Sequence, residues 1–223
     1  MQLKGTQIKE KPTDLTGWVY DNIKQLILDN TLPADTQINI DDMSKELQVS
    51  RTPVREALLQ LKDKGLVRIV PHVGCFVSSI TQEEFHEVFE LRGIIECYAA
   101  ARAAIHMPDD EINQWLQAVD RSEEALARGD VEEFNKMEIV LHDYLIESLN
   151  NKRIQSVMES VADSIYRERK IAMGSEENVA QSAREHRVIA MAIAKRDPVE
   201  AEQAMRAHIR NVEYRIERVA FGK

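Results

Sequence analysis

Ser50-Arg51-Thr52-Pro53-Val54-Arg55-Glu56-Ala57-Leu58 places a proline inside a run that is otherwise helical by its spacing. Proline is tolerated in a helix only in the first turn, where its missing N–H costs nothing, so a helix begins beside Ser50 and Thr52, either of which is able to cap it. Val54, Ala57, Leu58 and Leu61 then share an inward face, and Arg51, Thr52 and Arg55 cluster in the first two turns of the outward one. The helix runs to about Lys64 and ends at Gly65. Upstream, Leu15, Val19, Ile23, Leu26 and Ile27 mark a first helix that runs out at Asn30 and Pro33. A short extended piece over Thr36 to Ile40 follows, and Asn39 caps a second helix carrying Met43 and Leu47. Downstream, Leu66 to Val70 and Cys75 to Val77 read as two strands around a Pro71-His72-Val73-Gly74 turn. Three helices and a hairpin predict a winged helix-turn-helix over residues 13–78, behind a flexible arm at 1–12.

From Ser79 onward strand signals vanish and six further helices are legible. Thr81 with Glu84 opens one to about His106; Pro108 opens another that stops at Gly129; Asp130 with Glu133 opens a third to about Leu149. Asn151 caps a fourth ending near Gly174, a fifth spans about 178–194, and Asp197-Pro198-Val199-Glu200 starts a sixth that runs to about Val219. The fold class is therefore mainly α, a winged helix-turn-helix followed by an antiparallel six-helix bundle over 79–223.

Taken alone, the net charge of −9 argues against a nucleic-acid partner, but its distribution does not. Residues 1–80 carry ten of the 29 basic and ten of the 38 acidic residues, so the negative excess belongs entirely to the bundle. Within the front part Arg51, Arg55, Lys62, Lys64 and Arg68 stand against only Glu56 and Asp63 in the same stretch, a basic stripe of the kind nucleic-acid readers carry. Residues 1–14 contain no apolar run, which leads us to expect a cytoplasmic protein with no membrane partner. Cys75 and Cys97 have no metal or disulfide spacing.

A helix entering the major groove sets its N-terminal side chains against base edges. Arg51 and Arg55 have the fork that suits guanine O6 and N7, and Ser50 and Thr52 suit phosphates; the alternative is a solvated surface helix. In the bundle, Glu138 and His142 lie four apart on the face of Phe134, Leu141, Leu145 and Leu149. His186 shares a stripe with Val179, Ala183, Ile189, Ala190 and Ile193, and His208 with Ala201, Met205, Val212 and Ile216. Any one of these histidines, taken alone, reads more simply as a hydrogen-bonded core or boundary residue. Together, three imidazoles and a carboxylate in an apolar interior are satisfied at once by a divalent metal. Four protein ligands on an octahedral ion leave two positions for a small carboxylate, whose charge Arg92 balances unless it pairs instead with Glu96, four residues on.

The run at 50–58, with Leu61, Gly65-Leu66-Val67 and Pro71-x-x-Gly74-x-Phe76-Val77, resembles the DNA-binding domain of the GntR family. The resemblance implies DNA contacts from Arg51, Thr52 and Arg55 and a wing turn at Gly74 that reaches the minor groove or phosphates. Val73 stands where many relatives carry a wing arginine, and Asp41 where some carry a basic phosphate contact. The remainder is similar to the FCD ligand-binding domain of the FadR subfamily, whose metal pattern Glu138, His142, His186 and His208 match, with Glu138 in place of the more usual Asp. Six helices rather than seven resemble the VanR-like branch, and in the family an arginine of the helix carrying Arg92 binds the effector carboxylate. The expectation is a homodimeric transcriptional regulator, most simply a repressor, on a pseudo-palindromic double-stranded operator, with a small organic acid as effector. The cofactor is a divalent transition metal, Zn or Ni foremost and Mn or Fe as alternatives. A metal-responsive regulator without an organic effector and a metal-dependent enzyme are the rival readings; no nucleophile or general base accompanies the four ligands in a recognisable arrangement.

Overall fold

The computed structural model describes residues 13–172 and 176–222 and divides into two compact units between Thr81 and Gln82. The arm expected over 1–12 and the helix end expected near Gly174 lie outside the described residues.

The first unit comprises α1 (Leu15–Leu28), β1 (Gln37–Ile38), α2 (Ile40–Glu46), α3 (Arg51–Asp63), β2 (Val67–Val70) and β3 (Gly74–Val77). Asp14 starts α1 by accepting the Gly17 N–H, and Asn39 starts α2 by accepting from Asp41 and Asp42. Ser50 occupies the N-cap position of α3 but makes no side-chain cap bond, contrary to the expectation from its type. At the other end of α3, Gly65 adopts φ +73, and the Leu66 N–H reaches the Leu61 carbonyl while the Gly65 N–H reaches that of Lys62. This pair of bonds is a Schellman turn, and its left-handed residue favours glycine. α1 packs on α3, and Val19, Ile23, Val54, Ala57 and Leu61 are wholly removed from solvent. Each of these valine, isoleucine and leucine side chains contributes about 1.5–3 kcal/mol on burial.

The wing is a three-stranded antiparallel sheet in the order β1-β3-β2, not the simple hairpin expected. The extended piece before α2 supplies the extra strand, pairing Gln37 with Phe76 and Ile38 with Cys75. A strand this short shows no alternation from which its pairing is legible.

The second unit contains α4 (Gln82–His106), α5 (Asp109–Ala127), α6 (Val131–Ser148), α7 (Lys152–Ala172), α8 (Glu176–Ala194) and α9 (Pro198–Phe221). Its helix starts follow the side-chain logic of the sequence. Asp130 caps α6 by accepting the Glu133 N–H, Asn151 accepts from Arg153 and Ile154, and Asp197 accepts from Val199 and Glu200. α5 ends in a second Schellman turn at Gly129, φ +76. α4 packs along α9 and α9 along α8, and α6 and α7 also contact α4. This arrangement brings the inward stripes of α4, α6, α8 and α9 toward one another. No helix among the described residues is long and apolar enough to cross a membrane.

Candidate functional site

The exposed face of α3 carries Arg51, Thr52 and Arg55, with Ser50 exposed just ahead of it, while Pro53, Val54, Ala57 and Leu58 are buried. Arg51 is not idle: its Nε lies 2.6 Å and its Nη2 3.0 Å from the two oxygens of Asp41, a two-point grip in the first turn of α2. Arg68 likewise pairs with Asp35 at 3.0 Å and stacks over Phe76. The basic stripe is thus partly neutralised by acids from outside its own stretch. Arg55 is exposed and has no ion pair among the described residues. In the wing turn the Val73 N–H bonds the Val70 carbonyl, His72 takes φ 59 and Gly74 φ +148. A side chain at Gly74 would start 2.7 Å from Gln37 Nε2, the group that donates to the Val73 carbonyl; that flexible amide could move aside, so it is the φ of +148 that favours glycine here.

Inside the bundle, Glu138 and His142 of α6, His186 of α8 and His208 of α9 present ligand atoms that all lie within 4.8 Å of one another, and all four residues are buried. The three imidazoles meet through the same nitrogen: His186 Nε2 is 3.2 Å from His142 Nε2 and 3.3 Å from His208 Nε2. Glu138 Oε1 stands 3.9 Å from His186 Nε2. The outer nitrogens explain the convergence. His142 Nδ1 lies 2.5 Å from Glu96 Oε2, and His208 Nδ1 lies 2.8 Å from Glu185 Oε2. Each carboxylate accepts a hydrogen bond from Nδ1–H, which leaves the Nε2 lone pair of that ring facing inward. A neutral His186 carries one proton, so at most one of the two short Nε2 contacts is a hydrogen bond, and its own Nδ1 has no partner.

Burial drives the His142 pKa down to about 3 against the pull of Glu96, and burial together with His208 and His142 drives that of His186 well below the usual range. Both rings are therefore neutral at physiological pH, the form that ligates metals. Burial would raise Glu96, but Arg92 and His142 override it and hold the carboxyl well below its ordinary range. Burial acts likewise on Glu185, where hydrogen bonds from Arg215 and His208 bring the value to about 2. Imidazole nitrogens converging on a carboxylate, two of them backed on Nδ1 by the ionised carboxylates of Glu96 and Glu185, suit a divalent cation.

Arg92 of α4 is buried and donates from Nε to Glu96 at 2.7 Å, so the intrahelical pair weighed in the sequence forms. Its Nη1 nevertheless has no partner and the residue lines a narrow pocket with Glu138, Arg169, Asn178 and Ser182.

A family model described as bacterial regulatory proteins, gntR family, matches residues 15–77, and one described as the FCD domain matches residues 87–211. The chain belongs to the GntR family and carries an FCD domain. It is a transcriptional regulator. Among GntR-family relatives, the uncharacterised HTH-type regulator YdhC of Bacillus subtilis is 25% identical over 89% of both chains. The HTH-type transcriptional repressor RspR of Escherichia coli is 25% identical over 87% of this chain and 85% of that one. A crystal structure described as a GntR transcriptional regulator from Rhodococcus sp. RHA1 superposes with a TM-score of 0.76 at 23% identity, covering 92% and 98% of the two chains. A metal-free FCD domain of TM0439 matches 66% of this chain and all of that one, with a TM-score of 0.54 at 21% identity.

Three residues of this FCD domain escaped the sequence reading. Glu96 was weighed only as a partner for Arg92, although a carboxylate on the stripe of Phe85, Phe89 and Ala99 signals a buried acceptor. Glu185 precedes His186 but serves His208, a link only the α8–α9 packing reveals. Arg169 continues the α7 spacing of Ile154, Met158, Val161 and Ile165, yet it is surrounded in sequence by Arg167, Glu168 and Lys170 and looks like part of a solvated run.

Proposed function

We propose that the chain is a repressor that binds a pseudo-palindromic operator as a homodimer, and that a small carboxylate held at a divalent metal in the FCD domain sets its operator affinity. The observation that carries the reading is the inward meeting of three Nε2 atoms beside Glu138, with Glu96 and Glu185 fixing the tautomers from behind. Glu138, His142, His186 and His208 would hold the ion, which supplies Lewis-acid attraction for the effector carboxylate. Zn or Ni suits three imidazoles best, ahead of Mn or Fe. Arg92 offers its unpartnered Nη1 to the effector. Six bundle helices among the described residues support the VanR-like branch.

On the DNA side, Arg51 and Arg55 read base edges, Ser50 and Thr52 approach phosphates, and the turn at Gly74 reaches the adjoining groove. An effector that prefers one dimer geometry shifts the population between DNA-competent and released states; a coupling of about 1–3 kcal/mol changes operator affinity roughly 5- to 150-fold. The test selects an operator from random duplex DNA with the protein itself, then titrates metal and small organic acids separately. Release by an acid only in the presence of metal is expected. Release by metal alone, with no response to acids, would establish a metal-responsive regulator instead.

A further inference from the structure

The pocket beside the His–Glu cluster has two cations and too few anions. Arg92 from α4 and Arg169 from α7 both line it, with Glu138 at one side and the polar groups of Asn178 and Ser182 completing the wall. Arg92 Nη1 and Arg169 Nε are buried without hydrogen-bond partners, and the two residues are 1% and 7% exposed. Asp143 acts on Arg169 only from an exposed position, where water screens it, and the buried neighbouring acids are already committed. Glu96 accepts from Arg92 and His142, and Glu185 is held by Arg215 and His208. Glu168 gives no relief, because burial pushes its carboxyl up to about 8 and leaves it mostly protonated near neutral pH. A divalent cation and Arg169 therefore stand against the single charge of Glu138. A monoanion cancels half of that excess, and a dianion cancels it all. Uncompensated charge in a buried site is costly, and the planar fork of an arginine matches a carboxylate.

Resting on the metal-held carboxylate described above, we propose that Arg92 and Arg169 seat a second carboxylate, so that the effector is a small dicarboxylate. One carboxylate meets the metal and the other closes between the two guanidinium groups across the pocket. Arg169 is then the residue that distinguishes dicarboxylates from monocarboxylates.

Succinate and butyrate have the same carbon count and differ by one carboxylate, which makes them the probes. Calorimetric titration of the full-length, Zn-loaded protein is expected to show succinate binding at least about tenfold tighter than butyrate, tenfold being about 1.4 kcal/mol. In Arg169→Gln with unchanged Zn content, succinate should fall to the affinity of butyrate, and butyrate should not move. Arg169→Lys keeps the charge without the fork and should retain part of the preference, which leaves a measurable variant if the glutamine protein does not fold. Equal affinities in the wild type, or a full preference surviving in both variants, overturns the dicarboxylate assignment alone. Binding of neither acid to the Zn-loaded protein overturns the carboxylate-effector reading with it.

Discussion

Arg51 in the N-terminal unit keeps 74% of its side chain in solvent, and Arg92 in the FCD domain keeps 1%. Both are gripped by a carboxylate through Nε, yet the grips have different consequences. At the surface, water screens the Arg51–Asp41 pair and the contact is worth at most about 1 kcal/mol, so DNA can take the guanidinium over at little cost. In the bundle, low dielectric makes every uncompensated charge expensive, and the pattern of paired and unpaired groups specifies what is missing. The first unit thus presents its charge to solvent and the second encloses its charge, and it is on the enclosed charge that the proposed effector rests.

The largest effect expected at the surface comes from Arg55, which pairs with no acid among the described residues. Arg55→Ala should cost about 1–3 kcal/mol of specific operator binding without disturbing oligomeric state, measured by fluorescence anisotropy and sedimentation. Unchanged specific affinity would remove Arg55 from base reading and leave the exposed face of α3 without its main reader.

A smaller effect is expected from Asp41, whose carboxylate both holds Arg51 and repels phosphates. Asp41→Asn should raise affinity for non-operator DNA severalfold and steepen the salt dependence by about one counterion, because a released Arg51 becomes available to the backbone. A salt slope identical to the wild type would show that the pair does not restrain Arg51 on DNA.

Away from the DNA-facing surface, the buried groups are separated by pH. His142 binds no proton in the folded chain until about pH 3, whereas the unfolded chain takes one up near its ordinary 6.5. Metal-free protein should therefore lose stability as pH falls below about 6.5, and His142→Gln should flatten that slope in urea titrations. Glu168 acts in the opposite sense. Its proton is kept to about 8 when folded but lost near 4.5 when unfolded, so stability drifts down as pH rises between these values, and Glu168→Gln should remove the drift. Slopes unaltered by either substitution would show that neither group is buried as the structure has it.

The sequence was most legible where one residue decides a local event. Pro53 and Gly65 bracket α3, and Asn39, Asp130 and Asp197 begin helices that form where those residues stand. Helical spacing was enough to turn Arg92, Glu138, His142, His186 and His208 inward, and all five are buried. Long-range pairing was not legible. The partner of Arg51 is ten residues back, that of Arg68 is 33 back, and the acid behind His142 is 46 back, on another helix. Spacing along a helix reports which way a side chain faces and is silent about what stands opposite, which is why Arg169 passed for one more surface charge.

Elemental analysis of protein purified without a metal-affinity step tests the central claim most directly. The wild type should carry about one transition-metal ion per protomer, and His186→Ala with His208→Ala should carry none while remaining folded by circular dichroism. A wild type free of metal that takes up none on addition of Zn or Ni, or a double variant that keeps its full complement, would contradict a metal centre at these four residues.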